Sequence, residues 1–164
     1  MLFAHIADCH LGCWSNHPQL KDMPMKAFQK AMDTSLQEKV DFVLICGDLF
    51  NTNLPSIDVL GDTVSVLKKM KDKNTPVYVI PGSHDFSPSG KTMISVLEKA
   101  GLVENVAKGK EKDGKLELDV CVNGNVEICG MIGKKGGLEE SYYKYLTIPP
   151  MNGFKIFAFH SGIC

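Results

Sequence analysis

Three short apolar runs, separated by two longer stretches with helical periodicity, constrain the fold of this chain more than any other feature. The runs cover 2–7, 42–46 and 77–80, and the last of them stops at Pro81-Gly82. In the stretches between them, apolar residues recur every three or four positions, which is typical of an amphipathic helix. This β-α-β-α-β rhythm favours parallel strands joined by helical crossovers and predicts an α/β fold.

Local signals mark where the helices begin. Asp22 and Pro24 predict the start of the first helix, and Pro55-Ser56 predicts the start of the second. Such residues suit the cap and the first turn, where backbone N–H groups have no partner within the helix. A third, shorter helix is expected over 92–100.

After residue 103 the pattern changes to short strands. The segments 115–122 and 126–132 predict a hairpin around Asn123-Gly124-Asn125, because Asn and Gly suit tight turns. A further apolar strand over 155–159 ends at His160. Two basic segments remain, 108–115 and 133–137, and a solvated loop is favoured for each over a phosphate-contacting patch.

Composition limits the ways in which the chain can recognise a partner. The sequence has 164 residues, enough for one domain, and its net charge is −1. All 18 basic residues are Lys, and Lys lacks the planar fork with which Arg reads guanine. Any contact with nucleic acid is therefore expected to involve phosphates and to be independent of sequence.

The cysteines and the apolar runs indicate the cellular compartment in which the protein is expected. The apolar stretch 1–7 is too short for a secretory signal, and no run approaches the roughly 20 apolar residues of a membrane span. The six cysteines are therefore expected to be reduced thiols of a cytoplasmic protein without a membrane partner. A zinc site at Cys9 and Cys13 is disfavoured, because no second pair of closely spaced cysteines completes it.

Carboxylates and imidazoles fall just beyond four of the predicted strands. The carboxyl ends of parallel strands lie along one edge of a sheet, where ligands bind. The candidate site consists of Asp8, His10, Asp48, His84, Asp85 and His160. Any one of these residues alone is more often structural, but together they predict a single convergent site.

The mixed ligand set indicates a particular kind of metal chemistry. Carboxylate and imidazole together suit Mn²⁺, Fe or Zn²⁺ better than Mg²⁺. A shared carboxylate such as Asp48 could bridge two cations that clamp a phosphate. His84 could then protonate the leaving oxygen or hydrogen-bond the phosphoryl oxygens, and Asp85 could set the tautomer of His84.

The motifs resemble those of calcineurin-like metallophosphoesterases. They are D-x-H at 8–10, G-D at 47–48 and G-x-H-D at 82–85. The longer strings D-C-H-L-G at 8–12 and G-D-L-F at 47–50, the second followed by P-S at 55–56, resemble the SbcD-type DNA-repair nuclease subunits of bacteria and archaea. The resemblance runs through the whole chain and is strongest before residue 86.

The resemblance implies a fold and a set of site residues. The fold would be a central β-sandwich flanked by helices, with four layers in the order αββα. Asp8 and His10 would hold one Mn²⁺, Asp48 would bridge, and His160 would hold the second. His84 would be the catalytic imidazole, supported by Asp85.

The resemblance also implies an activity and partners. The protein would degrade double-stranded DNA ends and nick single strands during double-strand-break repair. It would act as a homodimer bound to an SMC-like ATPase. Dimer contacts would come from the helices near 55–71 and 92–100, with Leu60 and Val96 as candidates.

Three departures from the family pattern qualify these expectations. Ser83 stands where the family has an Asn that ligates the second metal, and Asn51 stands where some relatives carry a substrate-presenting His. The chain also reaches Cys164 before any G-H-x-H motif. Residues 1–164 are therefore expected to be an incomplete, C-terminally truncated nuclease domain that binds metal weakly and has little or no activity alone.

Two other functions remain open at this point. A small-molecule or cyclic-nucleotide phosphodiesterase would share the metal motifs, although not the longer strings. A non-catalytic scaffold that dimerises and docks on the ATPase would explain Ser83 and the missing motif.

Overall fold

A parallel sheet forms the centre of the first half of the protein. The structure is a computed structural model that describes residues 1–87, 91–134, 136, 138 and 140–162. Strands β1 (Phe3–Ile6), β2 (Phe42–Cys46), β3 (Val77–Ile80) and β4 (Glu104–Asn105) lie side by side in chain order. Every neighbouring pair is parallel, so the carboxyl ends of these strands share one edge, as the sequence predicts.

Three helices cover one face of this sheet: α1 (Met23–Gln37), α2 (Ile57–Asp72) and α3 (Met93–Lys99). Pro24 lies in the first turn of α1, and the Ser56 hydroxyl accepts a hydrogen bond from the backbone N–H of Val59 at the start of α2. Asp22 stands at the N-cap of α1, but its side chain makes no capping bond. The helices bury an apolar cluster against the sheet that includes Phe28, Met32, Val43, Ile45, Leu67, Met70, Val79, Ile94 and Leu97.

The second half of the chain supplies the rest of the strands. They are β5 (Gly109–Lys112), β6 (Lys115–Leu118), β7 (Cys121–Asn123), β8 (Val126–Gly130), β9 (Leu146–Thr147) and β10 (Phe154–Ala158), with helix α4 (Glu140–Tyr143) between β8 and β9. One sheet has the order β10-β8-β7, and the other has the order β5-β6-β9.

The β10-β8-β7 sheet packs on the parallel sheet to form a sandwich. Its inner residues Val126, Ile128 and Ala158 form one buried cluster with Phe42, Leu44, Cys46, Tyr78 and Ile80 of the parallel sheet. Its outer residue Cys129 packs in another cluster with Leu118 of β6 and Tyr142 of α4. The predicted α/β fold with a central sandwich is therefore confirmed, and the small sheet and α4 form its outer layer.

The strand predictions fail in one region. The segment 108–115 was expected to be a solvated loop, but residues 109–112 form β5, which pairs with β6 around Asp113 and Gly114. Every residue of β5 is exposed, so no apolar alternation marks it as a strand. The expected strand 115–122 is divided between β6 and β7, which belong to different sheets.

Surface features bear on the remaining expectations. No helix among the described residues is both long enough and apolar enough to cross a membrane. Val96 is 48% exposed on α3, whereas Leu60 is partly buried against the apolar cluster between the helices and the parallel sheet. Lys134 and Gly136 of the predicted basic loop are described, and positions 135 and 137 lie outside the described residues.

Candidate metal centre

Four strand ends bring the predicted residues together. Asp8 follows β1, Asp48 follows β2, His84 follows β3 and His160 follows β10. The backbone N–H of Asp8 donates to the Gly47 carbonyl (3.2 Å), which fixes the first two loops to each other. The sandwich brings in the fourth strand end, since the His160 ring Nδ1 lies 3.0 Å from the Cys46 carbonyl oxygen.

Asp48 lies at the centre of the site. Its Oδ2 is 3.7 Å from His10 Nε2 and 3.3 Å from His160 Nε2. Asp8 is at the rim, where its Oδ1 lies 3.7 Å from His10 Nε2 and 4.0 Å from His160 Nε2. The side chain of Asp48 is 5% exposed and that of Asp8 is 59% exposed, so the shared carboxylate is buried and the outer one faces solvent.

The ligand atoms form two triads that share Asp48. One contains His10, Asp48 and His84, and the other contains Asp8, Asp48 and His160, with all ligand atoms of a triad within 4.8 Å of one another. The sharing agrees with the expected bridging role of Asp48. Asp8 Oδ1 lies near both His10 and His160, so the expected pairing of Asp8 with His10 on one metal ion stays a prediction.

The backbone around these residues adopts uncommon conformations. Asp8, His10 and Asp48 have positive φ angles of 55°, 43° and 49°, in a region that residues other than glycine rarely occupy. Such strain is concentrated at functional sites, where the surrounding structure holds it in place. The positive φ values turn the backbone sharply after β1 and after β2.

Two glycines permit the close approach of the loops. A Cβ atom on Gly82 would lie 2.2 Å from both the backbone N and Oδ1 of Asp48. A Cβ atom on Gly47, which has a φ of +86°, would lie 2.3 Å from the ring of His160. Any larger residue at either position would displace a side chain of the site.

Two hydrogen bonds hold His84. Its backbone N–H donates to Asp48 Oδ1 (2.8 Å), and its ring Nδ1 lies 2.7 Å from the backbone carbonyl oxygen of Asn51. A carbonyl oxygen only accepts, so Nδ1 carries the proton and donates it to Asn51. The imidazole meets the His10 ring edge to face, with a centroid separation of 4.8 Å.

Asp85 does not have the contact that was predicted for it. Its Oδ2 accepts from the N–H groups of Leu49 (3.1 Å) and Gly82 (3.0 Å), and its Oδ1 accepts from Phe50 (2.9 Å). The Asn51 carbonyl therefore takes the tautomer-setting role that we assigned to Asp85. Burial raises the pKa of Asp85 and the nearby charge of Asp48 adds to the effect, while the three N–H donors oppose it.

Ser83 and Asn51 both lie at the site. The Ser83 hydroxyl donates to Asp48 Oδ2 at 3.5 Å, which puts its oxygen beside the shared carboxylate. Asn51 is tied to the site through its backbone, since its N–H donates to the Leu11 carbonyl and its own carbonyl accepts from His84. The metal-ligating role of Ser83 and the substrate-binding role of Asn51 stay predictions.

The residues present fit divalent cations. His10 Nδ1 is buried and has no hydrogen-bond partner among the described residues, although such an atom costs free energy unless something binds it. The two triads together offer three imidazoles and two carboxylates, and this donor set suits Mn²⁺, Fe or Zn²⁺. Burial raises the pKa of Cys9, which lies between Asp8 and His10 in the sequence, to about 12.

Comparison with known families identifies the class to which this fold belongs. A model of the calcineurin-like phosphoesterase family matches residues 1–162. The chain belongs to this family, as the sequence motifs predict, and the family implies divalent metal ions at the site.

Several of the similar proteins carry the name of a DNA repair protein. The chain is 28% identical to the DNA double-strand break repair protein Mre11 of Archaeoglobus fulgidus, over 99% of the chain and 39% of that protein. It is 31% identical to the proteins of the same name from Methanosarcina mazei, over 70% of the chain and 18% of the relative, and Sulfolobus acidocaldarius, over 80% and 33%. The matches thus span less than half of each relative.

Proposed function

We propose that this protein is a metal-dependent DNA phosphodiesterase of double-strand-break repair, with exonuclease and endonuclease activity and two Mn²⁺ ions. The sharing of Asp48 by two groups of candidate ligands, one of which includes the His84 ring, carries the proposal. A bridging carboxylate between two ligand sets suits the in-line displacement of a phosphodiester. The names of the Mre11 relatives support DNA as the substrate.

The residues of the site would divide the chemistry as follows. Asp8, His10, Asp48 and His160, with Ser83 beside them, would hold cations whose charge stabilises the phosphoryl group. His84 would contact the scissile phosphate through Nε2, because its Nδ1 proton is committed to Asn51. In its imidazolium form, the same nitrogen would donate a proton to the leaving oxygen.

Asp85 would act indirectly. Its carboxylate joins the backbone after β2 to the turn that carries His84, through the N–H groups of Leu49, Phe50 and Gly82. This contact keeps the His84 turn beside Asp48. Asp85 is therefore proposed as the residue that fixes the distance between the catalytic imidazole and the shared metal ligand.

DNA contacts would not depend on sequence. The basic residues are all Lys, which acts on phosphate as a point charge. With Asn51 near His84, the DNA backbone would pass along the edge of the sheet that carries the metal site. The net charge of −1 restricts binding to local patches of Lys.

The remaining proposals concern assembly and compartment. The resemblance to SbcD-type subunits supports a homodimer, an SMC-like ATPase partner and a cytoplasmic location. The exposed Val96 on α3 is available for a dimer contact, whereas the packing of Leu60 against the core makes it a poor candidate.

A comparison of two substrates with Mn²⁺ tests the proposed activity. Nucleotide release from duplex DNA ends and hydrolysis of bis-nitrophenyl phosphate are measured for the natural protein and for His84→Ala. Because residues 1–164 are expected to bind metal weakly, the assay uses millimolar Mn²⁺, and we expect slow cleavage of both substrates and a large loss of both activities in the variant. Hydrolysis of the small ester without any DNA cleavage would favour a small-molecule phosphodiesterase instead.

A non-catalytic scaffold is the second candidate, and the short arm of Ser83 at the second triad favours it. It predicts no Mn²⁺-dependent cleavage of either substrate. Ser83→Asn, which restores the amide of the family pattern, separates the two cases. Activity that appears only in this variant would show that the natural protein has lost catalysis at this ligand.

A further inference from the structure

The segment that leaves β8 passes between two parts of the metal centre. The N–H of Met131 donates to the Ala158 carbonyl, and the N–H of Gly133 donates to the Pro81 carbonyl, both at 2.9 Å. A Cβ atom on Gly133 would lie 2.7 Å from the His160 carbonyl oxygen. The backbone before Lys134 is therefore fixed against both the His84 turn and His160.

Lys134 lies near two aromatic rings at this point. Its Nζ is 4.0 Å from the centroid of the Tyr142 ring and 5.9 Å from the centroid of the Phe86 ring. Both distances lie within the roughly 6 Å over which a ring attracts a cation. Lys134 thereby connects α4 to the residue that follows Asp85.

The two rings belong to very different surroundings. Tyr142 packs against the buried cluster of Leu118, Cys129 and Met131, so it is a fixed anchor. Phe86 ends the His84 turn, and its N–H donates to the Gly82 carbonyl at 3.2 Å. The Lys134 ammonium group thus links Phe86, at the end of the His84 turn, to Tyr142, which is packed in the fold.

We infer that Lys134 is a positioning residue that holds the His84 imidazole in place through Phe86, with Tyr142 as its anchor. Asn51 and Asp48 hold His84 from the β2 side, and Lys134 restrains the opposite end of the same turn. Without the Lys134 ammonium group, the His84 imidazole would occupy its productive position for less of the time. This inference rests on the proposed phosphodiesterase function, and it places Lys134 outside the direct phosphate contacts.

The kinetic test uses bis-nitrophenyl phosphate with Mn²⁺, because this small ester makes few contacts beyond the reacting phosphate. Lys134→Met is expected to lower kcat about three- to tenfold with little change in KM, as the loss of a cation–π contact allows. Lys134→Arg keeps a cation over the ring and should restore most of the activity. Lys144→Met, on an exposed Lys near Tyr142, is the matched control and should behave like the natural protein.

Variants of the anchor separate positioning from direct phosphate binding. Tyr142→Phe keeps the aromatic face and should be close to natural, whereas Tyr142→Leu should lower kcat as Lys134→Met does. The double variant Lys134→Met/Tyr142→Leu should be no slower than either single variant. A raised KM in Lys134→Met with a normal Tyr142→Leu would overturn the inference in favour of direct phosphate contact.

A measurement on the resting protein makes the test independent of turnover. Nitrogen-15 NMR signals of the His84 ring should shift or broaden in Lys134→Met and Tyr142→Leu, and stay in place in Lys144→Met. If the protein cleaves no substrate, the proposed function fails, but these signals still report on the position of His84. Unchanged His84 signals in Lys134→Met would contradict the inference.

Discussion

The ring Nδ1 of His84 lies 2.7 Å from the backbone carbonyl oxygen of Asn51, and this contact fixes the orientation of the imidazole. Asn51 follows β2 and His84 follows β3, so the contact joins the ends of neighbouring parallel strands. Because the acceptor is a backbone atom, it persists when the Asn51 side chain is changed. The orientation of His84 is thus a property of the fold.

His84→Gln should abolish most catalysis without loss of metal. Loss of general acid catalysis typically costs about 100- to 10,000-fold, and we expect a fall in kcat within that range. The number of Mn²⁺ ions bound at saturation, measured by equilibrium dialysis, should be unchanged. Loss of one ion would instead show that His84 is a ligand in the triad with His10 and Asp48.

Asp85→Asn should destabilise the protein even though it removes a buried charge. The carboxylate accepts three backbone N–H bonds, and an amide would present N–H groups to one or more of those donors. Unsatisfied buried groups cost about 1–3 kcal/mol each, so the free energy of unfolding in urea should fall by about this amount. Asp41→Asn, at an exposed carboxylate that accepts one bond from Leu2, is the control and should cost less. Equal losses in the two variants would count against the role of Asp85.

Two glycine substitutions should have opposite effects. Gly82→Ala places a methyl group against Asp48, and such overpacking costs about 1–3 kcal/mol, so both stability and Mn²⁺ binding should fall. Gly61→Ala adds a methyl within α2 where nothing lies within 4 Å, and it should stabilise the helix by about 0.5–1 kcal/mol. Thermal unfolding with and without Mn²⁺ measures both. A Gly82→Ala protein with normal Mn²⁺ binding would contradict the packing at Asp48.

Alkaline pH should weaken the contact between the two sheets of the sandwich. Burial raises the pKa of Tyr78 to about 12, and the nearby Cys121 and Glu104 add to this. An unfolded tyrosine titrates near pH 10, so the native state holds the proton more tightly over the window from about pH 10 to 12. The contribution of Tyr78 to the free energy of unfolding is therefore fully present below that window and is lost as pH rises through it.

Urea unfolding at about pH 9 and about pH 11 checks this prediction, with Tyr78→Phe as the control. The natural protein should lose more stability than the variant between the two values, by up to about 1 kcal/mol per pH unit. Equal losses would show that the pKa of Tyr78 is the same in the folded and the unfolded protein.

Periodicity and turn chemistry predict the main elements well. Each apolar strand that ends in Asp or His is present, and β2 and β3, which are buried on both faces, carry the continuous apolar signal of covered strands. The β5 strand is missed because all of its residues are exposed, although Asp113-Gly114 is a hairpin signal in its own right. A strand without a buried face lacks the alternation of apolar and polar residues by which a strand is predicted from sequence.

The site is predictable in its residue types and less so in its contacts. Strand ends converge in any parallel sheet, which is why Asp48 and His84 can be paired from sequence alone. The acceptor for His84 is a backbone carbonyl, which carries no signature in the sequence. The positive φ values at Asp8 and His10 likewise arise from tertiary packing. The contact of Lys134 with Tyr142 cannot be predicted either, because nothing in the sequence distinguishes Lys134 from other lysines in loops.

The sharing of Asp48 by two metal ions is the central claim, and electron paramagnetic resonance on the Mn²⁺-loaded protein tests it most directly. Since weak binding is expected, millimolar Mn²⁺ is used and free Mn²⁺ is subtracted. We predict the spectrum of an exchange-coupled Mn²⁺ pair, and its disappearance in Asp48→Asn. A spectrum from isolated ions only, or a coupled pair that survives Asp48→Asn, would contradict the account.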